Sequence, residues 1–324
     1  MNSDIKKHNL QKAIVRVIAF FDIFDYPLTA FEIWKYLGVK CELSEVVDFL
    51  ESDQNTPQPL SRGELNIEEK NNFYFLKGGE DIVQIRLKRY NYADEKFKRA
   101  LRVSQIFKFI PWIKGIAIGN VIGAHNLKKE GDIDFFVIIQ KNRIWISRFY
   151  CVLITKILGL RPRLGKTKDK ICLSFFVSED NLNLKNLMLD SKEVEFSTGS
   201  SAPGDLDIYF IHWLAGIVPI YDSENIFEEF FQENSWLKKH LPNWQSNQIH
   251  FKREVREKNF CKIFSVFGFV GNKFFKFLQL KMMNKKLKEL MNKDTRVVIN
   301  DQILKLHAND RRKEYREKFL NYNI

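Results

Sequence analysis

The order of short apolar and polar blocks between residues 115 and 177 most narrows what this chain can fold into. Gly115–Ile118 is an apolar strand that ends in Gly119-Asn120. After an eleven-residue spacer, Asp132-Ile133-Asp134 opens a second apolar strand running to Ile139. Ile144–Leu158 then shows helical spacing, and Ile171–Val177 reads as a third strand. Strand, turn, strand, helix and strand in so short a space predict an α/β (α+β) core built on a small mixed sheet with flanking helices. Alternation along a strand places Asp132 and Asp134 on the same face.

The segments before this core predict a small helical unit over 1–79. Ile14, Val17, Ile18 and Phe21 share one helix face, which Pro27 stops. Thr29-Ala-Phe-Glu32 has the spacing of a capping box and starts a second helix, and Ser44 starts a third. Leu65–Ile67 and Phe73–Leu76 flank the polar turn Lys70-Asn71-Asn72 as a hairpin. Three helices and a hairpin give the order of a winged helix. Its third helix carries Glu45, Asp48, Glu51 and Asp53 and no Lys or Arg, which argues against sequence-specific DNA reading. Residues 80–200 are expected to hold the α/β core behind a leading helix, and 201–324 a helical C-terminal domain.

Net charge is +12, a balance that suits an anionic partner. The charge comes in blocks. Residues 141–170 carry nine basic side chains and one acid. Residues 180–249 carry eleven acids and four bases, and 250–293 carry twelve bases and three acids. The first basic block directly follows the paired aspartates. The last includes Phe264, Phe267, Val270, Phe274, Phe277 and Leu278 at near-helical spacing. That run reads as core packing, with an anionic membrane surface as the other occupant of such a face.

Several functions are excluded. The four cysteines form no CxxC pair and the six histidines no HxxxH or HExxH pair, so neither a zinc site nor a disulfide framework is expected. Asp22 and Asp25 close the N-terminal apolar run, so no signal peptide is expected. No stretch reaches the roughly 20 uncharged residues of a membrane span. The expected location is the cytoplasm.

Ile118-Gly119-Asn120, the spacer and Asp132-Ile133-Asp134-Phe135 resemble the signature of the nucleotidyltransferase superfamily of the DNA polymerase β type, over about residues 95–180. The resemblance implies Mg²⁺-dependent transfer of a nucleoside monophosphate from a nucleoside triphosphate, with release of pyrophosphate. It implies Asp132 and Asp134 as catalytic metal ligands, with a two-metal site possible. Gly119 and Asn120 would hold phosphates, and Lys168 and Lys170 could reach them. The acceptor could be RNA, a small molecule or a protein. Two positions depart from the family pattern. Asn120 stands where Gly or Ser is usual. The third strand offers no acid on either face: Cys172, Ser174 and Phe176 occupy one, and Ile171, Leu173, Phe175 and Val177 the other. Asp169 is the nearest substitute for the third carboxylate. The alternative is a catalytically weakened nucleotide- or RNA-binding module on the same scaffold. His125 and His212 read as surface or satisfied histidines, and Asp205 and Asp207 as helix-capping acids.

Overall fold

The computed structural model describes residues 2–53, 66–79, 81–119, 126–163, 165–189, 207–249, 251–256, 268–322 and 324. Its first elements are α1 (Asn2–Asp22), α2 (Ala30–Tyr36), α3 (Leu43–Asp53) and the antiparallel pair β1 (Ile67–Lys70) and β2 (Phe73–Leu76). Asn71 and Asn72 both take positive φ, 58° and 61°, as a tight two-residue hairpin turn needs. The apolar face of α1 is buried at Ile14, Val17, Ile18 and Phe21. The capping box forms: Thr29 Oγ1 accepts from Glu32 N–H, and Glu32 Oε2 accepts from Thr29 N–H at 2.9 Å. Arg86 forks onto the same Glu32 carboxylate at 2.7 and 2.9 Å, which ties the box to the helix that follows.

That helix is α4 (Asp81–Phe107), and the central sheet comes after it. β3 (Ile113–Ile118) runs antiparallel to β4 (Ile133–Ile139). α5 (Ile144–Ile157) then crosses over to β5 (Ile171–Ser178), which is parallel to β4. These elements fall where the sequence pattern puts them. The sheet is buried on both faces, so its strands read as nearly continuous apolar runs. Phe136, Ile138, Phe175 and Val177 belong to one core, with α1, α2 and α6 (Ile208–Ala215). Phe135, Val137, Ile139 and Phe176 belong to the other, with α4 and α5.

The C-terminal third corrects one expectation. It is not a helical domain, because it supplies three of the six strands. β6 (Val218–Asp222) pairs with β3, and the hairpin β7 (Val297–Ile299) and β8 (Ile303–Leu306) joins the sheet at β5. The strand order is β6-β3-β4-β5-β8-β7. The physical reason is that β3 and β5 would otherwise be unpaired edges of a buried sheet, with backbone groups left unsatisfied. Helices α7 (Ile226–Glu233), α8 (Gly268–Met282), α9 (Lys285–Leu290) and α10 (Arg312–Leu320) complete the chain. The Phe-rich run of near-helical spacing falls partly in α8, where Phe274 and Phe277 are exposed rather than packed in a core, and residues 257–267 lie outside the described residues.

The N-terminal unit packs directly on this C-terminal third. Phe20 lies against His212 with ring centroids 4.1 Å apart. Asn243 donates to the carbonyls of Trp34 and Val39. Tyr322 donates to Asp22 at 2.7 Å. The acidic helix α3 turns Val46 and Leu50 inward, and its Glu45 pairs with Lys6. Among the described residues no helix is long and apolar enough to cross a membrane.

Candidate metal centre and adjoining cleft

The end of β3 and the start of β4 are held together by Gly119 N–H, which donates to Asp134 C=O at 3.0 Å. Gly119 is packed closely: a Cβ there would stand 3.3 Å from the Trp213 ring. The spacing of β4 brings Asp132 and Asp134 together, and the parallel register sets Cys172 of β5 directly beside Asp134. One ligand atom each from Asp132, Asp134 and Cys172 lies within 4.8 Å of the other two. The position facing the paired aspartates is thus filled by a thiol.

All three groups are shifted toward their neutral forms in this arrangement. Burial raises the Asp134 carboxyl above the usual range, and the neighbouring Asp132 charge adds to this. Burial also raises Asp132. The Cys172 thiol is pushed well up, first by burial and then by the charges of Asp134 and Asp132. The common cause is that acidic groups crowd one half-buried spot, a situation a bound cation reverses.

Asp134 and Gly119 also line an open cleft of about 170 Å³. One wall is aromatic. Trp213 stacks on Phe175 with centroids 5.3 Å apart, and Tyr209 stacks on Tyr315 at 5.0 Å. The other wall is charged and comes from β8 and the start of α10. Lys305 pairs with Asp310 at 2.9 Å, and Arg312 with Asp207 at 2.7 Å. Burial, together with the Arg312 charge, lowers Lys305 to about 8. Arg311 is exposed and lies over the Tyr315 ring. A hydrogen-bonded run connects cluster and cleft: Cys172 Sγ is 3.3 Å from Ser174 Oγ, which is 2.9 Å from His307 Nε2. Burial and the Lys305 charge hold His307 down at about 3, so its ring is neutral.

The residues expected from the sequence divide as follows. Asp132, Asp134 and Gly119 are brought together. Asn120 and His125 lie outside the described residues. Asp169 is not in the cluster. It sits in the turn before β5 with φ of 58°, where the buried Lys96 pairs with it at 2.9 Å. That corrects its expected role as the third carboxylate, since its charge is already neutralised elsewhere. Lys168 pairs with Glu130 at 3.5 Å, and Lys170 donates to Gly159 C=O at 2.8 Å. Neither is among the residues that line the cleft. Asp207 caps α6 by accepting from Phe210 N–H, as its capping position implied. Asp205 lies outside the described residues.

The donor set decides which cation suits the centre. Two carboxylates fit a hard divalent cation that completes its shell with water and phosphate oxygens. The thiol does not fit Mg²⁺, because sulfur is a soft ligand. His307, Ser174 and the aromatic wall were not singled out from the sequence. The signal for His307 was the apolar, β-branched run Val297–Ile299, an Asn300-Asp301 turn and Ile303–Leu306, a hairpin that places the next residue at the sheet end. No family model, curated protein or solved structure matches this chain.

Proposed function

We propose that this chain is a metal-dependent nucleotidyltransferase, which moves a nucleoside monophosphate from a nucleoside triphosphate to an acceptor and releases pyrophosphate. The observation that carries the reading is the pair Asp132 and Asp134, set at one strand end beside Gly119, with Asp134 lining the adjoining cleft. In this reading Asp132 and Asp134 hold the divalent cation. The cation, when bound, neutralises charge on the phosphates. Gly119, without a side chain, lets the Trp213 ring close against the strand end beside the aspartates. Trp213, Tyr209 and Tyr315 give the cleft an aromatic wall that suits the apolar edge of a base. Arg311, at the cleft mouth, supplies positive charge for the triphosphate or for a phosphate-bearing acceptor.

The acceptor oxygen attacks the α-phosphorus, and the bond from that phosphorus to the bridging oxygen of the pyrophosphate breaks. RNA, a small hydroxyl compound or a protein side chain would each serve as acceptor. Isothermal titration with each nucleoside triphosphate, with and without Mg²⁺, tests the binding half. Pyrophosphate release against acceptor pools tests the transfer half. Wild type should bind, and Asp132→Ala with Asp134→Ala should not. Absence of binding by wild type, or unchanged binding by the double variant, refutes the reading.

One observation favours a second reading. Cys172 stands where a third carboxylate would act as base, and no other acid among the described residues joins the cluster. A catalytically weakened module that binds nucleotide or RNA without transferring would accommodate that. It predicts salt-dependent RNA binding that survives loss of both aspartates, and no pyrophosphate release.

A further inference from the structure

We propose that the cation held by this centre is a thiophilic divalent metal, of the Zn²⁺ or Co²⁺ class, with Cys172 as its third protein ligand beside Asp132 and Asp134. The inference rests on the proposed site but narrows its metal away from Mg²⁺.

Three observations support it. First, the Cys172 sulfur and one oxygen from each aspartate lie within 4.8 Å of one another. A single ion about 2.0–2.3 Å from each would reach all three after small side-chain adjustments. Second, a thiolate paired with carboxylates selects zinc-type metals over hard cations, because Mg²⁺ demands oxygen ligands in near-octahedral order. Three protein ligands with a fourth position facing a cleft also match an open zinc-type centre. Third, the sulfur has a built outer shell that the aspartates alone do not need. Ser174 Oγ is 3.3 Å from Cys172 Sγ, and His307 Nε2 is 2.9 Å from Ser174 Oγ. His307 lines the cleft and is half-buried, and its Nδ1 is enclosed with no hydrogen-bond partner among the described residues. The imidazole holds the Ser174 hydroxyl through Nε2.

Binding is balanced as loss of the thiol proton to solvent and formation of one metal–sulfur bond. Once the sulfur is anionic, the Ser174 hydroxyl can donate to it. His307 Nε2–H then donates to Ser174 Oγ. Such outer-shell partners orient a metal ligand and tune its basicity.

The test uses the full chain, stripped of metal with a chelator and free of nucleotide. Co²⁺ is titrated while the near-ultraviolet thiolate-to-cobalt absorption is followed. One Co²⁺ per chain should bind and produce that band. Zn²⁺ should displace it, and Mg²⁺ at roughly a hundredfold excess should not. Cys172→Ser, nearly isosteric, should abolish the band and weaken Co²⁺ by at least about a hundredfold, since loss of even an outer-shell partner costs about 10–100-fold. Ser174→Ala should keep the band and weaken binding by about 10–100-fold. Cys172→Asp should bind Mg²⁺ more tightly than wild type does.

No cobalt binding, a band that persists in Cys172→Ser, or Mg²⁺ displacing Co²⁺ as readily as Zn²⁺ each overturns the proposal. Circular dichroism of Cys172→Ser separates loss of the ligand from loss of the fold. Because nucleotide is absent throughout, a failure here leaves nucleotide transfer with Mg²⁺ standing. Thiolate-dependent cobalt binding in a chain that binds no nucleotide would instead remove the function and keep the centre.

Discussion

His212 should make this fold lose stability as pH falls from 6.5 to about 4. The residue lies on α6, 6% exposed, with its ring against Phe20 and with Phe21 and Tyr36 at centroid distances of 5.6 Å. Its Nδ1 is 2.9 Å from Ile208 C=O. A carbonyl only accepts, so Nδ1 carries the hydrogen, and Nε2 is enclosed with no partner among the described residues. Burial lowers the ring from 6.5 to about 4, with the Ile208 bond opposing and His240 assisting. Between those values the unfolded chain takes up a proton that the folded chain does not. Stability is therefore complete above about pH 6.5, declines as pH falls, and stops declining below about pH 4. The gap of 2.5 units corresponds to about 3 kcal/mol over the whole window, and about 2 kcal/mol of it is already lost by pH 5.

His307 acts in the same direction, so the wild-type profile alone does not isolate His212. The comparison with His212→Leu does, because leucine fills similar space and carries no proton. Urea unfolding of both proteins in steps from pH 7.5 to 4.5 should show their profiles diverging below pH 6.5. The difference should grow by about 2 kcal/mol by pH 5, in favour of the leucine variant. Parallel profiles would refute the reasoning, since they would mean that the folded chain protonates His212 as easily as the unfolded one.

Other perturbations separate buried from exposed contributions. Gly115→Ala places a Cβ 2.7 Å from Phe227 Cε2 and 3.0 Å from Ile226 Cγ2, so overpacking of β3 against α7 should cost about 1–3 kcal/mol and lower the melting temperature. Arg312→Met leaves Asp207 wholly buried without its cation and should cost about 3–5 kcal/mol in chemical unfolding. Arg311→Met removes an exposed pair with Glu314 and a cation over the Tyr315 ring, and should cost no more than about 2 kcal/mol in the same assay. Equal losses for the two arginines would contradict the burial assigned to Arg312.

The central elements were legible because local signals and tertiary needs agree there. Apart from Asp134, Ser174 and Ser178, Ile133–Ile139 and Ile171–Ser178 are apolar, which is what a sheet covered on both faces requires. Thr29 and Glu32 form their box from local geometry alone. The edge strands were not found, because Val218–Asp222 contains Pro219 and follows α6 with only Gly216 and Ile217 between them. Pro219 is tolerated because β6 is the last strand on its side of the sheet. The aspartate pair was visible as a spacing of two. Cys172 was visible only as a non-acid, since its position beside Asp134 depends on the register of two strands separated by a helix. The cleft wall was hidden for a similar reason: Lys305, His307 and Arg312 reach it from more than a hundred residues downstream of β5.

The thiol beside Asp134 also bears on where the acceptor proton goes. A carboxylate at that position would remove it. A sulfur bound to a metal has surrendered its basicity, and a free thiol raised by burial carries its own proton. A positioned base contributes about 10²–10⁴-fold to a transfer of this kind. Under the proposed function, wild type with Mg²⁺ should release pyrophosphate slowly with alcohol acceptors, and its rate should rise with pH as hydroxide replaces the absent base. Cys172→Asp supplies the missing carboxylate on the same strand and should raise pyrophosphate release in Mg²⁺ by about 10²-fold or more, with a flatter pH profile near neutrality. Both proteins would be assayed at saturating nucleotide, so that a change in binding does not pass for a change in rate. An unchanged or lower rate in a folded Cys172→Asp chain that still binds nucleotide would show that the base is not what this position lacks. The neutral His307, one hydrogen bond beyond Ser174, would then be the next group to remove.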